Sequence, residues 1–196
     1  MLFTSPSYSH CLGARCPHPH NPFGRDRCEA CGADLVIADR FRLGERLPCS
    51  VRGSATSLTV VMDDQRPQSP RRLLKVLHQW DPRWQIQFRR ESRLLTHLSR
   101  SPLTRGPSTL LSPSPFPYSS AADLIEFDPM ASGISDPMGI VMDCLPGRSL
   151  GDVVDASGSL SWGQFQQLFR QLIQLVHYLH RHQIVHGDIK PDNIMI

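Results

Sequence analysis

The stretch His186-Gly187-Asp188-Ile189-Lys190-Pro191-Asp192-Asn193-Ile194-Met195-Ile196 decides how the rest of the 196-residue sequence is read. Its spaced polar residues, His186, Asp188, Lys190 and Asn193, sit in a run that is otherwise apolar or turn-forming. Residue types fixed at this spacing match by chance in about one chain in a thousand of this length. Ahead of the stretch, Gln164 to Arg181 reads as a helix. Ser161 is its N-cap and Gln164 completes a capping box, while Phe165, Leu168, Phe169, Leu172, Ile173, Leu175, Val176 and Leu179 form a broad apolar stripe.

The closing run fits H-x-D-x-K-x-x-N and resembles the catalytic loop of protein serine/threonine kinases. That resemblance implies a role for each residue. Asp188 is the base that accepts the proton of the attacking hydroxyl, Lys190 faces the transferring phosphate, Asn193 holds a magnesium ion and His186 braces the loop. Gly187 stands where many kinases carry an arginine that couples the loop to a phosphorylated activation segment, so that coupling is expected to be absent. A His-Gly-Asp opening also occurs in small-molecule phosphotransferases of the aminoglycoside and choline kinase type; Lys190 favours the protein kinases. The Asp-Phe-Gly that supplies a further metal ligand is not in the sequence, and the 196 residues alone are expected to show no turnover.

Composition bounds the alternatives. With 40% hydrophobic and 20% charged residues, the chain can bury one moderate core, or part of a larger domain beside a small metal-held module. Its net charge of +3 is too mild, and its basic residues too dispersed, to argue for nucleic acid. No apolar run is long enough to span a bilayer, and Met1 to His10 lacks the pattern of a signal peptide, so a cytoplasmic location is expected.

Four of the six cysteines lie between Cys11 and Cys31. Cys11-x4-Cys16 and Cys28-x2-Cys31 form two short hooks, and Gly32 follows the second, where the backbone must turn tightly. This is the pattern of a zinc ribbon or knuckle. Four thiolates complete a tetrahedral shell, so the metal would be structural. In a short segment with almost no apolar core, metal binding is expected to supply most of the folding energy. Two disulfides, or free thiols, are the competing readings, and His10, His18 and His20 are possible substitute ligands. Placed before a kinase-like domain, the spacing resembles the four-cysteine prefix of a group of bacterial serine/threonine kinases, many of them cyanobacterial. Cys49 and Cys144 are read as small buried apolar residues.

Between prefix and loop, the expected landmarks of a kinase appear in order. Asp39 to Leu43 resembles the first strand. The following stretch, Leu47 to Thr56, holds Gly53 but not the G-x-G-x-x-G that lets a backbone cover ATP phosphates, so nucleotide affinity is in question. Arg72 to Leu77 alternates like the third strand and places Lys75 where a phosphate-neutralising lysine belongs. Glu91 follows on a helix capped by Asp81 and Pro82, with Phe88, Leu94, Leu95 and Leu98 on one face. It resembles the helix C glutamate that orients that lysine. The Ser/Pro-rich stretch 99–137 should contain the fourth strand near Leu124 to Phe127. Gly139 to Gly147 resembles the fifth strand and hinge, with Met142 as gatekeeper and the backbones of Asp143 and Leu145 against adenine.

The expected fold is α+β: a kinase amino-terminal lobe of antiparallel sheet and helix C, then the start of a helical lobe, behind a zinc-ribbon-like module. The expected boundaries are 10–35 for the prefix, 40–142 for the first lobe and 143–196 for hinge and catalytic loop. The resemblance implies transfer of the γ-phosphate of ATP to Ser/Thr hydroxyls of a protein substrate, with magnesium as cofactor. The alternative is a non-catalytic, pseudokinase-like binding module with a structural zinc site.

Overall fold

The computed structural model describes residues 6–13, 15–47, 56–65, 71–78, 81–99, 123–126, 138–144 and 147–196. They fall into two compact units, Met1–Arg100 with Ser120–Cys144, and Ser101–Ser119 with Leu145–Ile196.

The first unit holds a small antiparallel pair, β1 (Tyr8–His10) and β2 (His20–Pro22), and a six-stranded antiparallel sheet. The sheet consists of β3 (Val36–Ile37), β4 (Phe41–Arg46), β5 (Thr56–Asp63), β6 (Arg72–Leu77), β7 (Asp123–Glu126) and β8 (Met138–Asp143), in the spatial order β3-β4-β5-β6-β8-β7. Helix α1 spans Pro82–Ser99. The third strand occupies the residues expected of it. The first begins two residues late, because Ala38 and Asp39 adopt positive φ (51° and 50°) and Arg40 N–H donates to the Ile37 carbonyl, making a tight turn between β3 and β4. The fourth strand is displaced by one residue and pairs with β8.

Strand alternation gives the sheet two different faces. On one face, Leu43, Val61, Leu74, Val76 and Val141 are buried in a cluster with Leu35, Ile37, Phe41, Cys11 and Cys28. On the other, Leu77, Met138 and Ile140 bury Phe88 of α1, with Leu95 and Met142 packed alongside. The four-cysteine segment therefore does not fold over a core of its own, as its composition suggested: Ala33, Leu35 and Ile37 carry it into the core of the sheet. Arg42 reinforces the join by donating to Asp26, to the Arg25 carbonyl and to Asp64.

In the second unit, α2 (Leu150–Ser157) starts at a capping box between Ser149 and Asp152, and α3 (Trp162–Arg181) at the expected one between Ser161 and Gln164. Leu150 and Leu179 are buried, while Phe165, Phe169 and Ile173 of the apolar stripe are exposed. Residues 194–196 return to the start of α2: Leu150 N–H donates to the Ile194 carbonyl at 2.7 Å and Ile196 N–H to the Arg148 carbonyl at 2.9 Å.

Leu74 is fully buried where the cysteine segment and the sheet share a core. Leu74→Ala should destabilise the first unit by about 2–5 kcal/mol in urea unfolding, the range for truncating a packed core leucine.

Candidate active site

Strand β6 directs Lys75 to the α1 face, directly opposite Leu58 of β5 and Ile140 of β8. Its Nζ donates to both carboxylate oxygens of Glu91, at 2.7 and 2.8 Å. The geometry follows from how α1 is seated. Asp81 caps the helix by accepting the Arg83 N–H at 2.8 Å, and burial of Phe88, one turn before Glu91, fixes its rotation. The Phe88 ring centroid lies 5.9 Å from Lys75 Nζ, within the range of a cation–π contact. With side chains 25% and 38% exposed, the pair orients the lysine more than it stabilises the fold.

The remaining residues expected at a nucleotide site are only partly placed. Met142 is half-buried on the α1 face, and Asp143 continues β8 opposite Arg72. Gly53 and Leu145 lie outside the described residues. Leu58, not singled out from sequence, is an apolar side chain left 36% exposed beside Lys75.

In the second unit the closing loop folds upon Asp188. Asn193 Nδ2 donates to Asp188 Oδ2 at 2.8 Å and to its carbonyl at 2.9 Å, and Lys190 Nζ lies 3.1 Å from Oδ2. The turn Pro191–Asn193 brings residue 193 back, with Asn193 N–H donating to the Lys190 carbonyl. Asp188 N–H donates to His186 Nδ1 at 3.3 Å. Gly187 has φ +76°, a left-handed conformation that a side chain would strain, which explains glycine there. Gly151 at the start of α2 is likewise constrained, since a Cβ would meet Asp192 Oδ1 at 2.5 Å. Neither Gly151 nor the Ser149 cap was read from sequence, although Ser149-x-x-Asp152 is a capping-box pattern. The hydrogen bond from Lys190, then that from Asn193, holds the Asp188 carboxyl below the ordinary aspartate value of 3.8. It is therefore ionised at neutral pH and exposed to solvent.

The four cysteines converge, with all four Sγ atoms within 4.8 Å of one another. Cys11 and Cys31 are 3.6 Å apart and Cys16 and Cys28 3.5 Å, too long for disulfides. Metal–sulfur bonds of about 2.3 Å in a tetrahedron place sulfurs about 3.8 Å apart, so the donor set is compatible with zinc. Burial pushes the Cys11 thiol up, whereas backbone N–H groups of Cys31 and Ala30 overcome the effect of burial at Cys28 and bring it to about 6. Gly13 and Asn21, missed in the sequence, support the cluster. Gly13 N–H donates to Cys11 Sγ, and a Cβ at Gly13 would approach both Cys11 Sγ (3.3 Å) and Cys31 Sγ (3.4 Å). Buried Asn21 donates to Cys28 Sγ and accepts the Glu29 N–H. The signal for Gly13 lay in its place two residues after Cys11; Asn21 offered none.

The sheet with its helix α1, and the helices of the second unit, are elements of a kinase-like fold. Residues 118–196 match the protein kinase domain family. It is similar to serine/threonine-protein kinase B of Synechocystis sp. (strain ATCC 27184 / PCC 6803 / Kazusa), with 25% identity over 193 residues, covering 95% of this chain and 29% of that protein. It is also similar to serine/threonine-protein kinase max-2 of Caenorhabditis elegans, with 42% identity over 62 residues, 32% of this chain and 9% of that one. Among solved structures, Rad53 1-466 in complex with AMP-PNP superposes with a TM-score of 0.53 at 20% identity, over 80% of this chain and 34% of that one. The chain thus spans less than a third of the curated relatives it matches. Among the described residues, no helix is long and apolar enough to cross a membrane.

The lowered Asp188 value has a testable sign. Its carboxyl should titrate below 3.8 by carbon NMR and move back towards 3.8 in Lys190→Ala. A depressed folded value means that the contribution to stability is present above the unfolded pKa and lost as pH falls through the folded one.

Proposed function

We propose that this chain belongs to a serine/threonine protein kinase that transfers the γ-phosphoryl group of ATP to serine or threonine hydroxyls. The observation that carries this reading is the Asp188 cluster, in which an ionised, solvent-open carboxylate is held between an ammonium and an amide within one loop. In the transfer, the substrate hydroxyl oxygen bonds to the γ-phosphorus, the bond to the bridging oxygen of ADP breaks, and the hydroxyl proton passes to Asp188. Lys190 offsets charge on the transferring group. Lys75, oriented by Glu91, grips the nucleotide phosphates, and the Asn193 side-chain oxygen is available to a magnesium ion. That ion, when bound, supplies neutralisation of phosphate charge.

Zinc is the assigned metal of Cys11, Cys16, Cys28 and Cys31, in a closed structural role, and a reducing cytoplasm is the compartment that suits four thiolates. A non-catalytic binding module is the second reading. It is favoured by the stretch joining β4 to β5, which contains Gly53 as its single glycine between Leu47 and Thr56.

Mg-ATP separates these readings. At a hundredfold excess over its dissociation constant, nucleotide should stabilise the chain by about 2.7 kcal/mol, and Lys75→Ala should abolish the shift. No shift in the wild type favours the module. The Asp-Phe-Gly ligand is not among the 196 residues, so transfer is assayed on a polypeptide extended through a kinase segment that carries it. There Asp188→Asn should lower transfer of radiolabelled phosphate by about 10²–10⁴-fold with nucleotide affinity retained. For the metal, elemental analysis should find about one zinc per chain, lost in Cys28→Ser.

A further inference from the structure

Ser57 and His78 form a polar pair that the chemistry above does not use. Ser57, near the start of β5, is 2% exposed and sits opposite Val76, on the sheet face that carries the buried cluster around Leu74 and Val76 together with the buried Thr59 and Asp63 of β5 itself. A hydroxyl buried there is unfavourable unless it finds a partner. It finds one diagonally across the ladder: Ser57 Oγ and His78 Nε2, just past the end of β6, are 2.5 Å apart. The next residue along β5 is Leu58, which points to the other face and lies opposite Lys75.

We propose that Ser57 and His78 are positioning residues of the nucleotide site. Their hydrogen bond fixes the register of β5 on β6 from the face behind the site, so that Leu58 and Lys75 are presented together on the front. Register needs such a device because a slip of one residue would exchange the two faces of β5. It would bury Leu58 behind the sheet and leave the Ser57 hydroxyl without a partner. The proposal rests on the kinase reading for its function, but not for its geometry.

The bond also carries a pH signature. In the neutral tautomer that carries its proton on Nδ1, His78 accepts a hydrogen bond from the Ser57 hydroxyl at Nε2. Desolvation, then the positive charge of Arg46 on β4, the charged group acting on His78 among the described residues, lowers its value below the ordinary 6.5. Lys75 points to the other face and Val76 and Ser57 carry no charge. A depressed histidine means that the contribution is complete above the unfolded value and declines as pH falls below it through the folded one.

The test uses the full chain with His78→Ala, His78→Gln and Ser57→Ala. Without nucleotide, amide hydrogen exchange at Leu58, Thr59 and Lys75 should speed up about tenfold in His78→Ala and Ser57→Ala, and His78→Gln, whose amide can still meet the hydroxyl, should restore protection. Exchange at α3 should not move. By calorimetry, AMP-PNP with magnesium should bind the wild type more weakly as pH drops from 7.5 to 5.5 by a larger factor than it binds His78→Gln; titration of the nucleotide itself is common to both and cancels. Unchanged exchange in both alanine variants, or a pH profile identical in wild type and His78→Gln, overturns the proposal. If the wild type binds no nucleotide, the kinase reading and the positioning role fall together, whereas unchanged exchange in a nucleotide-binding wild type removes the Ser57–His78 role alone. If His78→Ala fails to fold, the Ser57→Ala and His78→Gln comparison decides.

Discussion

The constraint on which the rest of the first unit depends is the alternation of β6. Leu74 and Val76 point to one face and Lys75 and Leu77 to the other, and both faces are covered. Burial of the first pair holds the strand in one register; only in that register can Lys75 meet Glu91 across the α1 face. The ion pair is thus the consequence of apolar packing rather than its cause. A partly exposed lysine–glutamate pair could not hold a helix on a sheet by itself, since solvent screening leaves such pairs worth about a kcal/mol or less. Phe88 and Leu95 hold the helix, and Glu91 is carried into place between them.

The four-cysteine segment gives β6 its second covered face. Cys11 and Cys28 lie in the same buried cluster as Leu74 and Val76, so two of the residues that would hold a metal and those flanking Lys75 belong to one core. A metal bound there would shape the back of the sheet without approaching the face that carries Lys75. The proposed structural metal and the proposed phosphate chemistry would thereby stay on opposite sides of one layer.

How much of this could be read from the sequence depended on how local each signal was. The Asp188 loop, the Lys75 strand, the α1 cap and the α3 capping box were legible because each is encoded within a few residues, and chain geometry then brings the groups together. Strand β5 was not. Thr56–Asp63 shows no clean alternation of polar and apolar residues, and three of its four polar members, Ser57, Thr59 and Asp63, sit on a buried face. The shared core of cysteine segment and sheet was also hidden, since it joins residues some thirty to a hundred and thirty apart, such as Cys11, Phe41 and Val141. The late start of β4 came from Ala38 taking a left-handed conformation, which alanine adopts only when pairing on both sides requires it.

The Asp188 loop shows the opposite balance. Its contacts run over five residues or fewer, from Asp188 to Asn193, and its longer anchors are backbone bonds from 194–196 to the start of α2. Local closure makes the arrangement largely independent of what covers the exposed face of α3. The lysine–glutamate pair, by contrast, needs a whole sheet behind it. A substitution in the aliphatic cluster therefore reaches Lys75 through strand register, while the Asp188 geometry answers mainly to Gly187, which alone among the loop residues has positive φ, and to the turn at Pro191–Asn193. The two halves of the proposed chemistry, nucleotide grip and proton acceptance, are for this reason open to separate perturbation.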